Sequence, residues 1–178
     1  YTVIEEVQDV EFRRYDSFLI ASVLPEQEGD QGLRSGFRQL AHYIFGGNST
    51  EESIAMTAPV LQQDSPGESL PMTAPVLQNS DNMRMAFVMP AGRTVNDLPI
   101  PDDSAVQLSS VDWDEAAVLR FSGRGKQARF RAAEDALREV LAEQERSPAG
   151  PALYAQYNSP SAFPPLRRNE VIIPLLPR

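Results

Sequence analysis

Residues 17–47 read SFLIASVLPEQEGDQGLRSGFRQLAHYIFGG, and the change of rhythm inside them decides the fold class. Ser17 to Leu24 is an almost unbroken apolar run with β-branched members, the pattern of a buried strand. Pro25 opens the acidic, glycine-containing PEQEGDQG, which predicts a loop. From Leu33 the period becomes helical. Leu33, Phe37, Leu40, Ala41 and Ile44 fall at i, i+4, i+7, i+8 and i+11, which predicts one buried helix face. Gly46 and Gly47 stop the helix, because glycine enters a left-handed cap without steric penalty.

The same grammar extends outward. YTVIEEV and VEFRRY read as strands before this stretch. After it, MTAPVLQ stands at 56–62 and again at 72–78, on either side of the turn-rich DSPGES. Two extended segments folded back as a hairpin are expected there. Pro59 and Pro75 lack an amide donor and belong at edges or bulges. MRMAFVMP (83–90), AVQLSSVDW, AAVLRFSG, ALYAQYN and NEVIIPLL are further strands. Phe130, Ala133, Leu137, Val140 and Leu141 line one face of a second helix, from about Gln127 to Gln144. Strand runs around two helices predict an α+β fold. The expected organisation is a single domain of two strand-helix-strand-strand halves, about 1–90 and 104–178, sharing one sheet or barrel with the helices outside.

A chain of 178 residues suits one domain that buries a core without staples. It has no cysteine, which excludes disulfides and thiolate metal sites. The net charge of -9 repels phosphate backbones and anionic membrane surfaces. No Lys/Arg run stands out, and lysine occurs only at Lys126. Neither nucleic acid nor an anionic membrane is therefore an expected partner. No apolar run approaches the roughly 20 residues of a spanning helix. No signal-peptide pattern is visible, but the chain begins at Tyr1 rather than methionine. A cytoplasmic location and export after removal of an upstream segment both stay open.

Five short motifs occur in a fixed order: IAMTAPV after a GGN helix exit, FVMP, RFSG, YNSP and RRNEV. Together they make the chain resemble the SOUL heme-binding protein family over about Val3 to Leu175, and the doubled MTAPV is similar to its bacterial branch. The resemblance implies a distorted β-barrel of two pseudo-symmetric halves flanked by two long helices. It implies non-covalent binding of heme or another tetrapyrrole by a carrier, buffer or sensor, and no settled enzymatic activity. A related architecture serves bacterial regulators as a small-molecule effector-binding domain. A fold used so widely does not fix a function. In some animal members a histidine at the end of the second strand is the proposed iron ligand. Arg14 stands at that position here, and a guanidinium stays protonated and cannot ligate iron. The other family location is the outer face of the first helix together with the loop before the last strand. These correspond to Arg34 through Tyr43 and to Ser159 through Leu166.

His42 is the sole histidine. At 100° per residue it points about 180° from Leu33, so it lies opposite the buried face. Arg34 and Arg38 precede it at i-8 and i-4, with Ala41 beside it. Guanidiniums pair with carboxylates such as heme propionates, and imidazole is a common donor to heme iron. The competing reading is a solvated helix face. Phe163 and Leu166, in a stiff SAFPPL segment, either cover a porphyrin face or pack on their own strand ends. The five methionines (Met56, Met72, Met83, Met85, Met89) fall in expected strands, where core filling outweighs iron ligation. Thr57 and Thr73 are expected as strand hydroxyls. Arg167 to Asn169 suit structural ion pairs before they suit ligand contact.

No Ser/His/Asp order, HExxH or phosphate-cradling glycine loop is present. Three readings follow. The first is a tetrapyrrole-binding protein using Arg34, Arg38, Ala41, His42, Phe163 and Leu166. The second is a non-heme effector-binding module. The third, for which no acid or base can be named, is a tetrapyrrole-modifying enzyme.

Overall fold

The computed structural model describes residues 1–25, 29–50, 53–54, 60–63, 85–158 and 163–178. Among them are nine strands: β1 (Thr2–Val7), β2 (Val10–Arg14), β3 (Phe18–Val23), β4 (Val60–Gln63), β5 (Met85–Val88), β6 (Gln107–Val111), β7 (Glu115–Ser122), β8 (Leu153–Gln156) and β9 (Arg168–Leu175). Two α-helices accompany them, α1 (Gly29–Ile44) and α2 (Gln127–Glu143). α1 begins at Gly29, inside the segment expected to be a loop. Of the repeated MTAPVLQ, only Val60 to Gln62 lie within the described residues, in β4, so the expected hairpin falls outside them.

The elements form two compact units. The first holds β1, β2, β7, β9 and β8, hydrogen-bonded in that order and antiparallel throughout. Side chains alternate across a strand, so each strand feeds both faces. Val10 and Phe12 of β2 and Val171 and Ile173 of β9 face α2 and meet its Phe130, Leu137, Val140 and Leu141. Phe130 stacks on Tyr154 with centroids 4.7 Å apart and meets Phe121 edge-on at 5.0 Å. The intervening residues Glu11, Arg13, Arg168 and Glu170 go to the opposite face.

The second unit orders β6-β3-β5-β4, again antiparallel, with α1 on one side. Leu19, Ala21, Val23, Leu40, Ile44 and Phe87 build its core. Gly36 lets α1 approach closely, since a Cβ there would lie 3.0 Å from Pro25 Cγ and 3.1 Å from Val23 Cγ2. The buried Tyr43 hydroxyl donates to the Pro99 carbonyl at 3.0 Å, satisfying a polar group that would otherwise be costly to bury.

The α+β class stands, but the distorted barrel does not: the two antiparallel sheets stay open. Among the described residues β1 pairs only with β2, and β6 only with β3. β1 is shielded from further pairing by a bulge between Val3 and Glu5 and by exposed Glu5 and Glu6. Sequence periodicity sees faces and not edges, so it could not tell an open sheet from a closed one. Phe37, expected in the core, is 41% exposed. It sits at the rim of the buried stripe and meets Phe87 edge-on at 5.4 Å.

Candidate functional site on the outer face of the first helix

α1 carries Arg34, Phe37, Arg38, Ala41 and His42 within roughly 140° of its circumference. Arg34, Arg38 and His42 are exposed and Ala41 is half-buried. None of the three cationic or imidazole side chains has a hydrogen-bond or ion-pair partner among the described residues. Solvent-facing apolar surface lies beside them. Phe45, just beyond the helix, is 67% exposed, and the strand-like segment at 100–102 brings Ile100, 72% exposed, along the helix exit. That segment is fixed by backbone bonds: Ser49 N–H donates to Ile100 O at 2.9 Å, and Asp102 N–H to Gly47 O at 3.2 Å. The exposed apolar residues Phe37, Phe45 and Ile100 beside this face are not marked as such by the sequence pattern. Phe37 was assigned inward by its period, and the 100–102 segment is brought to the helix exit only by tertiary pairing.

The helix exit also positions the imidazole. Gly47 N–H donates to His42 O at 2.8 Å, and Gly46 takes a φ of 109°, so a left-handed glycine turns the chain. The turn puts Gly47 against the His42 ring. A Cβ at Gly47 would lie 2.4 Å from Cδ2, 2.4 Å from Nε2 and 2.8 Å from Cε1, so only glycine fits under this ring position. Such similar distances to three ring atoms place Gly47 against the ring face. The nitrogen lone pairs lie in the ring plane, away from that contact. Asn48 stiffens the loop by donating Nδ2–H to Tyr43 O at 3.0 Å and accepting from Thr50 N–H at 3.2 Å.

Phe163 and Leu166 belong to the first unit. Phe163 caps a 3-10 turn, Pro164–Leu166, that Leu166 ends, and both are exposed. The structure therefore gathers the four α1 residues on one face and leaves Phe163 and Leu166 on a separate unit. Ser159 to Ser161 and Ala162 lie outside the described residues. Arg14 is bound up in ion pairs with Asp114 at 3.7 Å and Glu115 at 3.0 Å. Met85 and Met89 are buried in the second unit's core, while Met56, Met72, Met83, Thr57 and Thr73 fall outside the described residues. No cluster of three or more metal-ligating His, Cys, Asp or Glu occurs among the described residues.

A second polar constellation sits in the first unit, on the sheet face away from α2. Glu170 is fully buried and Arg13 nearly so. Arg13 Nη1–H and Nη2–H donate to the two Glu170 oxygens at 3.1 and 3.0 Å, a bidentate pair. Arg168 donates Nε–H and Nη2–H to Glu170 Oε1 at 2.9 and 2.6 Å, and Tyr157 donates its hydroxyl to Oε2. Arg13 also lies over the Tyr1 ring at 4.2 Å and bonds Glu11 at 2.8 Å. Burial pushes the Glu170 carboxyl up, but the Arg13 and Tyr157 hydrogen bonds and the Arg13 charge outweigh it and hold it below the usual carboxylate range. Burial next to that carboxylate raises the Tyr157 hydroxyl. Glu170 thus receives five hydrogen bonds from its own chain. The Glu170 carboxylate is saturated by these bonds, and the chemistry of the network is that of a structural clamp. The alternation of β2 puts Arg13 opposite Val10 and Phe12, but nothing in the sequence marks it or Glu170 as buried.

Comparison with known proteins adds the family. A family model described as SOUL heme-binding protein matches residues 1–174. No curated protein matches the chain in sequence. Solved structures share its fold at low identity. An uncharacterized conserved protein from Listeria innocua is 9% identical with a TM-score of 0.65, covering 94% of this chain and 92% of that one. A hydrolase from Listeria innocua is 10% identical with a TM-score of 0.57, covering 97% and 94%. The EcmrR C-terminal domain is 10% identical with a TM-score of 0.56, covering 94% and 96%. At such identity these likenesses speak for fold alone.

Proposed function

The chain belongs to the SOUL heme-binding protein family, and from that premise we propose that it binds heme or a related tetrapyrrole non-covalently on the outer face of α1. One observation carries this reading. Arg34, Arg38 and His42, without a hydrogen-bond or ion-pair partner among the described residues, share a helix face with exposed Phe37 and lie near exposed Phe45 and Ile100 at the helix exit. Exposed apolar side chains grouped with a few convergent polar groups mark binding surfaces. A flat macrocycle with carboxylates on one edge and a metal at its centre matches that set. In this reading Arg34 and Arg38 pair the carboxylates and His42 offers a nitrogen to the iron. Phe37 and Phe45 shield the ring from water. Bound heme supplies a ligand-accepting iron, and the chain supplies position and charge. In the first unit the Arg13 and Arg168 guanidiniums already bond the Glu170 carboxylate, which favours α1 over that sheet face.

The test is a titration with hemin and with its dimethyl ester. Blocking both carboxylates removes what the two arginines bind. Exposed pairs contribute about 0.5–1 kcal/mol each, so the ester is expected to bind several-fold more weakly. Arg34→Ala/Arg38→Ala is expected to bind hemin and ester equally. Equal affinity of the native chain for both forms would defeat the proposed orientation. Phe163→Ala/Leu166→Ala tests the two remaining candidates: weaker hemin binding would add the 163–166 turn to the site, and unchanged affinity would leave it to α1.

A further inference from the structure

α2 carries its charges in the wrong order for its own dipole. A helix N-terminus favours acids and a C-terminus favours bases. α2 has no acid in its first turn and no base in its last. Lys126 occupies the N-cap and its side chain makes no cap bond. Arg120, Arg124, Lys126, Arg129 and Arg131 fall in a stretch, 116–133, without a single acid, while Glu134, Asp135, Glu139 and Glu143 follow, with Arg138 among them paired to Glu134. Arg124, Lys126, Asp135 and Glu139 have no ion-pair partner among the described residues. A pattern that opposes its own helix calls for a compensating neighbour.

The outer surface of α2 has a second property. Ala128, Ala132 and Ala136 are exposed and spaced by four, so one ridge of the helix is nearly bare and admits close approach. The ridge is symmetric about Ala132. A third feature lies alongside: a shallow cavity of about 140 Å³ with Val10, Leu119 and Val140 as an apolar floor and Asp9, Glu139 and Glu143 at its rim. An acidic rim over an apolar floor suits the stem and head of a lysine or arginine.

We propose that the outer face of α2 is a self-association surface, on which a second copy of this chain docks antiparallel about a two-fold axis near Ala132. Counting outward from that residue, Ala128 meets Ala136 of the second copy, Asp135 meets Arg129, and Glu139 meets the Gly125–Lys126 loop. Each copy's basic end then lies against the other's acidic end and helix C-terminus, so charges that oppose their own dipole match the neighbour's. One arrangement accounts for both ends of the helix, whereas an anionic partner would account only for the basic end. A helix of 17 residues is about 25 Å long. One such face falls short of the ~800 Å² per partner of a standard stable interface, so the dimer is weak, reversible and salt-sensitive.

Sedimentation equilibrium on the full chain, at low and high salt, tests this. A concentration-dependent dimer at low salt is expected, with at least about tenfold weaker association at high salt. Glu139→Lys/Glu143→Lys and Arg124→Glu/Lys126→Glu are each expected to be monomeric. Mixed together they are expected to form a heterodimer, because both junctions become complementary again. Both variants bring charges into agreement with the dipole, and circular dichroism checks that they stay folded. A monomer at every concentration in low salt overturns the proposal. So does a dimer indifferent to the reversals, or a mixture that fails to associate. Wild type that stays monomeric while binding poly-glutamate or polyphosphate at its basic end would also overturn it, and give the face to an anionic partner.

Discussion

The two units solve one packing problem with the same parts and differ in where they put charge. Each lays a helix on an antiparallel sheet, with Phe130, Leu137 and Leu141 in one core and Leu40, Tyr43 and Ile44 in the other. In the first unit the opposite sheet face buries Arg13 and Glu170, and the helix wears charges against its dipole. In the second, the buried polar side chain among the described residues is Asn48, and α1 ends with His42 in agreement with its dipole. Inner faces are set by the need to bury apolar area, so they converge. Outer faces are free of that demand, and there the two helices carry different charge patterns.

Breaking the first unit's distinguishing feature should have the largest effect. Glu170→Gln removes the carboxylate that Arg13 and Arg168 share and leaves the buried Arg13 guanidinium with Glu11 alone as counter-charge among the described residues, and a loss of about 3 kcal/mol in urea unfolding is expected. The same group sets an acid limit. The folded Glu170 carboxyl titrates below its unfolded value, so its contribution is fully present above the unfolded pKa. It is lost as pH falls through the folded one. Wild-type stability should therefore decline below about pH 4, and the decline should be shallower in the glutamine variant.

The shared feature comes next. Leu137→Ala and Leu40→Ala, both at fully buried positions, should each destabilise by about 2–5 kcal/mol. A much smaller loss for Leu40 would mean that α1 is held less firmly than α2. Smaller still, and opposite in sign, is Lys126→Ser. A serine N-cap should raise thermal stability by about 0.5–1 kcal/mol while weakening any α2-mediated dimer. Least of all, His42→Ala should change stability by under about 0.5 kcal/mol, because the ring is exposed.

Legibility in the sequence followed the same division. The stripe Phe130 to Leu141 was legible residue by residue, because helical period and burial coincide there. On α1 the outward direction of Arg34, Arg38 and His42 followed from the same period, but Phe37 did not, since it lies at the stripe's rim. The Gly47–His42 contact was invisible, because a cap geometry has no period. The Arg13–Glu170 pair joins residues 157 positions apart and depends on which strands are neighbours. The pattern left sheet or barrel open, because closure is a property of edges that hydrophobic period does not encode; the barrel came from the family resemblance, and the sheets are open.

The central claim is that the sole imidazole, steadied over Gly47, meets the iron of a tetrapyrrole on α1. The most direct measurement is a hemin titration followed in the Soret region, with wild type, His42→Ala and Gly47→Ala side by side. Wild type should give a shifted, saturable Soret band at one equivalent. His42→Ala should lose the shift while retaining weaker binding, and Gly47→Ala, which evicts the ring from its seat, should alter the band in the same direction. An identical spectrum and affinity in all three proteins would contradict the account.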